Sequence, residues 1–127
     1  MIEEYILITT KGEIETVLIE KEQFLDKCYE LIGCECIECC VPNIKDGNTS
    51  IRFILDESVK LNDQKYNPLA TAIYNRPDIH FGNVLVGQIG LNQYGEMDIV
   101  GLSYWESDEL VENFNAEAKL LKLVGLI

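Results

Sequence analysis

The sequence predicts an α+β domain, a mainly antiparallel sheet of two β-hairpins plus central strands with two main helices and one short helix packed on it. Three observations carry this. Alternating apolar runs face one another across short Gly-containing turns near the start of the chain and again around residues 92–95. Segments with helical apolar spacing separate and follow them. The 127 residues are enough for a single domain, 1–127, with a core of its own.

Residues 4–10 and 13–20 alternate around Lys11-Gly12, which reads as a hairpin. Phe24, Leu25, Cys28, Leu31 and Ile32 then share one face of a helix over 21–32, with Gly33 at its left-handed end. Residues 34–41 form a strand ended by Pro42, 43–50 a polar loop and 50–57 a second strand, before a short extended piece at 59–61. Asn67 as N-cap and Pro68 at the first helical position open a short helix that ends before Pro77. Strands over 82–91 and 96–105 flank the turn at 92–95. Ser107 caps the last helix, with Asp108 and Glu109 in its first turn and Lys119 and Lys122 in its last. Its buried stripe is Leu110, Phe114, Ala118, Leu121 and Val124. Short turns imply antiparallel pairing, with helices covering one side of the sheet.

Twenty-two acidic residues face 10 basic ones, a net charge of −12. Such a field repels nucleic-acid phosphates and anionic lipid surfaces, so direct nucleic-acid binding and a membrane role are excluded as expectations. Apolar runs fall far short of the roughly 20 residues of a membrane span. The acidic start MIEEYILITT is unlike the basic start of a signal peptide. The expected compartment is the cytoplasm, where cysteines stay as thiols. The plain reading of the acidity is solubility; the sharper one is a negative face offered to a basic partner protein.

All five cysteines fall between Cys28 and Cys40. Cys28 belongs to a helix face. On a strand, Cys34, Cys36 and Cys40 point one way, and Cys39 joins Ile37 and Val41 on the other. Tetrahedral zinc needs four converging ligands, which one straight strand does not supply. Burial as small hydrophobes is therefore the first reading, with Cys34, Cys36, Cys39 and Cys40 as a metal set the lesser alternative. No cofactor is implied, for the chain has neither a Gly-rich phosphate loop nor a nucleophile elbow.

The most chemically mixed loop is 75–81, where Arg76, Asp78 and the single histidine, His80, lie close together. Asp78 in position to orient His80, and Arg76 to clamp a carboxylate or phosphate, make it a candidate site; a solvated Arg–Asp pair is the plainer alternative. On the strand SIRFIL, Ile51, Phe53 and Leu55 form one face and Arg52 and Ile54 the other, so Arg52 is either a sheet-edge guard or part of a pocket. Tyr104 and Trp105 precede the last helix; they either pack it onto the sheet or anchor an interface.

The opening hairpin, LDKCYELIGCECIECC, SIRFILDESVKLN, YNPLATAIY, GNVLVGQIGL and the helix start ESDELVENF run from about residue 5 to residue 114. Together they resemble an uncharacterised family from phages, plasmids and conjugative elements of low-GC Gram-positive bacteria. There a helix with a Gly end runs into a strand, as at Leu31-Ile32-Gly33, and a later hydrophobic strand has an internal Gly such as Gly87. The dense cysteines and the turn at 92–95 depart from that pattern. The resemblance carries no activity. It implies a small host-interacting protein of the kind that counters bacterial defence, by blocking a protein or sequestering a nucleotide signal.

The leading expectation is a non-catalytic binding protein that meets a host protein with a basic surface. The alternatives are a sequestering protein for a small anionic ligand, with Arg52, Asn67, Tyr74, Arg76 and His80 around it, and a cysteine zinc protein. A second copy of the chain is a further candidate partner.

Overall fold

The computed structural model describes residues 1–44 and 48–127. Six strands and three helices follow in the order β1 (Ile2–Ile8), β2 (Ile14–Glu20), α1 (Phe24–Ile32), β3 (Ile37–Cys40), β4 (Ile51–Asp56), α2 (Pro68–Tyr74), β5 (Val84–Leu91), β6 (Met97–Val100) and α3 (Tyr104–Leu123). The strands form one sheet in the order β2-β1-β5-β4-β3, with β6 also on β5, and every pairing is antiparallel. The α+β class is as the sequence predicts. Among the described residues no helix is long and apolar enough to cross a membrane.

β5 is the spine. Its first half pairs with β1 (Ile6 with Val86, Ile8 with Val84) and its second half with β6 (Ile89 with Ile99), so β1 and β6 lie end to end on one side of it. A bridge between Glu4 and Leu102 closes that junction. Gly101 makes the closure possible: a Cβ there would stand 2.6 Å from Cβ of Glu3 and 3.0 Å from the backbone of Glu4.

The helices cover both faces of the sheet, not one. Tyr5, Leu7, Ile19, Ile54 and Leu85 pack with Cys28 and Ile32 of α1. Ile6, Ile8, Ile51, Phe53, Val84 and Val86 pack with Leu69 and Ile73 of α2 and Leu110, Phe114, Ala118 and Leu121 of α3. Alternation along β1, β4 and β5 thus sends apolar side chains into a core on either side.

Several boundaries differ from expectation, and residues 59–61, expected to be extended, form a turn. The strand proposed over 34–41 begins only at Ile37, because Gly33 turns left-handed and the amides of Gly33 and Cys34 both donate to the Tyr29 carbonyl, at 2.9 and 3.1 Å. The strand 96–105 is only β6, and α3 is capped by Ser103, not Ser107. The Ser103 hydroxyl accepts from the Glu106 amide and the Glu106 carboxylate accepts from the Ser103 amide, a reciprocal cap. Ser107 lies buried inside the helix. Val124 caps the C-terminus of α3 and is exposed, so it leaves the buried stripe. The loop proposed over 43–50 falls partly on residues 45–47, outside the described residues.

Candidate functional site

The five residues grouped around an anionic ligand do not meet. Arg52 leaves β4 on the α1 face, opposite Phe53, and its Nη1 donates to the carbonyls of Thr49 at 2.6 Å and Ile51 at 3.0 Å. Arg76 follows α2, which covers the other face, and its Nε donates to the Val41 carbonyl at 2.8 Å. Each guanidinium braces local backbone. The β3 ladder stops at Cys40 opposite Phe53, so Arg52 sits just past the end of the edge strand, where a charge discourages further pairing.

Asn67 is fully buried, and its polar atoms are engaged. Its Nδ2 donates to the carbonyls of Ile8 and Gly82, at 3.1 and 2.8 Å, while Oδ1 accepts from the Ala70 amide at 2.9 Å. It is the predicted N-cap of α2, and it also ties that helix to β1 and to the approach of β5.

Tyr74 and His80 do come together. Their ring centroids lie 4.3 Å apart, edge to face, and Phe53 stands 5.7 Å from each. Burial raises the pKa of the Tyr74 hydroxyl, and the neighbouring Cys40 thiol adds to the rise. His80 is only 6% exposed, and its Nε2 is buried without a hydrogen-bond partner among the described residues. Burial holds the imidazole pKa below its ordinary 6.5, with the nearby Asp78 charge opposing weakly. A cleft of about 270 Å³ opens here between β3–β4 and the 78–81 loop. Sequence reasoning missed Glu38 and Phe81, which line it; strand parity puts Glu38 beside Cys40, but the loop that completes the cleft is a tertiary contact.

This environment sets a pH dependence. A folded-state histidine with a lowered pKa is neutral where the unfolded chain already binds a proton, so stability falls as pH drops below about 6.5. Asp56 acts lower down. Burial pushes its pKa up, but donors from Asn62, Gln64 and Ser58 outweigh that and lower it, so its contribution is lost only as pH falls through the acidic carboxylate range. Urea midpoints of the native chain should therefore decline from pH 7.5 to 5.5, and His80→Phe should remove most of that slope. An equal slope in the variant would exclude His80 as its source.

The cysteines divide. Cys28 and Cys34 are buried with α1, Cys36 and Cys39 are exposed, and Cys40 packs partly against the opposite core. Burial on a strand fails for Cys36 and Cys39, because one precedes β3 and the other lies on it, and β3 is the sheet's edge. Cys34 precedes that strand, so the expected alternation does not reach it. Among the described residues no three His, Cys, Asp or Glu side chains gather to hold a metal. Burial pushes the Cys28 thiol up to about 12 and the Cys40 thiol up to about 11, leaving little thiolate at neutral pH.

Tyr104 and Trp105 do not pack α3 onto the sheet. They are 70% and 78% exposed, ring edge against ring face at 5.7 Å. Close by in the fold, Ile2 pairs with Glu20 and Leu18 with Glu4, which places all four on the α3 face of the sheet. Ile2 and Leu18 are 60% and 65% exposed. They line a shallow groove with Glu4, Leu102 and Ser103, the residue from which α3 starts. The result is an apolar strip chequered with carboxylates that reaches Ser103, the residue before the exposed aromatic pair.

No family model matches this chain, and neither does any curated protein or solved structure.

Proposed function

We propose that this chain is a non-catalytic binding protein of a phage or other mobile element, acting in the cytoplasm, that antagonises a host factor by docking on its basic surface. The carrying observation is the strip of Ile2 and Leu18 with Glu4 and Glu20, which reaches Ser103 at the start of α3, together with the exposed Tyr104 and Trp105 that follow it in the chain. Large apolar side chains left open beside carboxylates match the usual anatomy of an interface, an apolar anchor within a charged rim. The net charge of −12 adds long-range attraction for a basic partner and disfavours nucleic acid.

The test is capture from a Gram-positive host lysate on the immobilised chain at low and high salt, with Trp105→Ala and Leu18→Glu beside the native sequence. A specific partner should be held at low salt and weaken as salt rises. Loss of an interface anchor costs about 2 kcal/mol or more, so either variant should release it while circular dichroism stays native. Capture indifferent to both salt and the two substitutions would refute the reading.

A further inference from the structure

The sheet ends on β2, and among the described residues that strand pairs only with β1. The Thr9 amide donates to the Glu13 carbonyl and the Lys21 amide to the Met1 carbonyl, which fixes the parity of the ladder between them. Glu15, Val17 and Ile19 therefore turn their N–H and C=O groups toward β1. Ile14, Thr16, Leu18 and Glu20 turn theirs outward, with no backbone partner among the described residues. Over its seven residues β2 carries no proline, glycine or lysine to blunt this edge; its only charges are Glu15 and Glu20. The opposite edge, β3, has four residues, runs toward Pro42 and has Arg52 just past its end. From this contrast we infer that β2 pairs with β2 of a second copy, antiparallel about a two-fold axis at Val17, so that the two sheets become one.

The residues select that register. An axis at Val17 overlaps the whole strand and sets Thr16 opposite the partner's Leu18, Ile14 opposite the partner's Glu20 and Glu15 opposite the partner's Ile19. Each outward amide then meets a carbonyl of the second copy, and Val17 meets the partner's Val17 as a close β-branched pair. No carboxylate stands opposite another. Leu18, 65% exposed in the single chain, loses water on its open flank. One strand pair buries less than the roughly 1,200–2,000 Å² of a standard interface, so the dimer is a weak one that forms at high concentration. Two chains of net charge −12 also repel, and salt screens that repulsion. Self-pairing thus tightens as salt rises, whereas docking on a basic partner weakens, so the two readings stand or fall separately.

Sedimentation equilibrium from dilute to millimolar chain, at low and high salt, measures the association, and amide hydrogen exchange in the same samples locates it. The expected result is a reversible dimer favoured by salt. The Thr16 and Leu18 amides should exchange freely in the dilute chain and slow as the dimer forms. The Val17 and Ile19 amides, turned toward β1, should stay protected throughout and report an intact fold. Thr16→Pro removes one outward amide and no bond to β1, so it should weaken the dimer about thirty-fold, one hydrogen bond being lost from each copy. Should that variant not fold, the exchange pattern of the native chain decides alone. A monomer at millimolar concentration and high salt would overturn the assignment and leave the edge to a strand of another protein. So would a dimer whose Thr16 and Leu18 amides exchange as fast as in dilute solution, or a folded Thr16→Pro chain that associates like the native one.

Discussion

Replacing Asn67 with alanine is expected to destabilise the protein by roughly 3–7 kcal/mol, from about 1 kcal/mol for a lost helix cap and roughly 1–3 kcal/mol for each of two buried carbonyls left unpaired. The Ile8 and Gly82 carbonyls and the Ala70 amide all lose their partner at a position with no solvent access. Against a typical stability of about 5–15 kcal/mol this is a large fraction, so the urea midpoint should fall steeply. Asn67→Asp gives a second handle. It keeps the acceptor for Ala70 but turns a carboxylate toward two carbonyl oxygens, which raises the pKa of the new acid in the fold. A raised folded-state pKa means that this variant gains stability as pH falls through its titration, opposite in sign to the native chain. An alanine variant within about 1 kcal/mol of native would show that water replaces the amide, and that Asn67 is a cap and nothing more.

Half of the Asn67 role is legible in the sequence and half is not, and the same division runs through the molecule. Asn67-Pro68 marks a helix start by local chemistry alone, and the structure places it there. Its bonds to Ile8 and Gly82 join segments far apart in the chain, which no local pattern carries. The Lys11-Gly12 turn, Gly33 at the end of α1 and the antiparallel pairing are local too, and all appear. The start of α3 was readable but masked: Ser103 and Glu106 have capping-box spacing, yet the β propensity of the aromatics at 104 and 105 favours extending the strand. Coverage of both sheet faces also has a signal, in the unbroken apolar runs of β1, β4 and β5 (YILI, FIL, VLV), since a strand exposed on one side alternates instead. The two arginines show the opposite limit. Thr49 and Val41 capture them through backbone carbonyls, and carbonyls are the same at every position, so residue types cannot forecast such capture.

Phe53→Ala is expected to cost about 3–5 kcal/mol, the range for emptying a buried aromatic site, whereas Phe53→Leu should cost under about 1.5 kcal/mol if the neighbours close the gap. Phe53 is fully buried at the centre of β4 and packs against both Tyr74 and His80. Its removal reaches past stability to the cleft. The vacated space would be lined in part by an imidazole and a phenol, so it meets the polar requirement for admitting water, unlike a purely aliphatic cavity. Water beside His80 relieves the burial that holds its pKa down. The imidazole should then titrate closer to 6.5, and the decline in stability below neutral pH should flatten, although the variant is less stable throughout. Urea denaturation across pH and the ring ¹⁵N shifts of His80 measure the two effects separately. A stability loss with an unmoved His80 titration would mean that the cavity stays dry or collapses. The lowered pKa would then come from the remaining walls of the site, Tyr74 foremost, and not from Phe53.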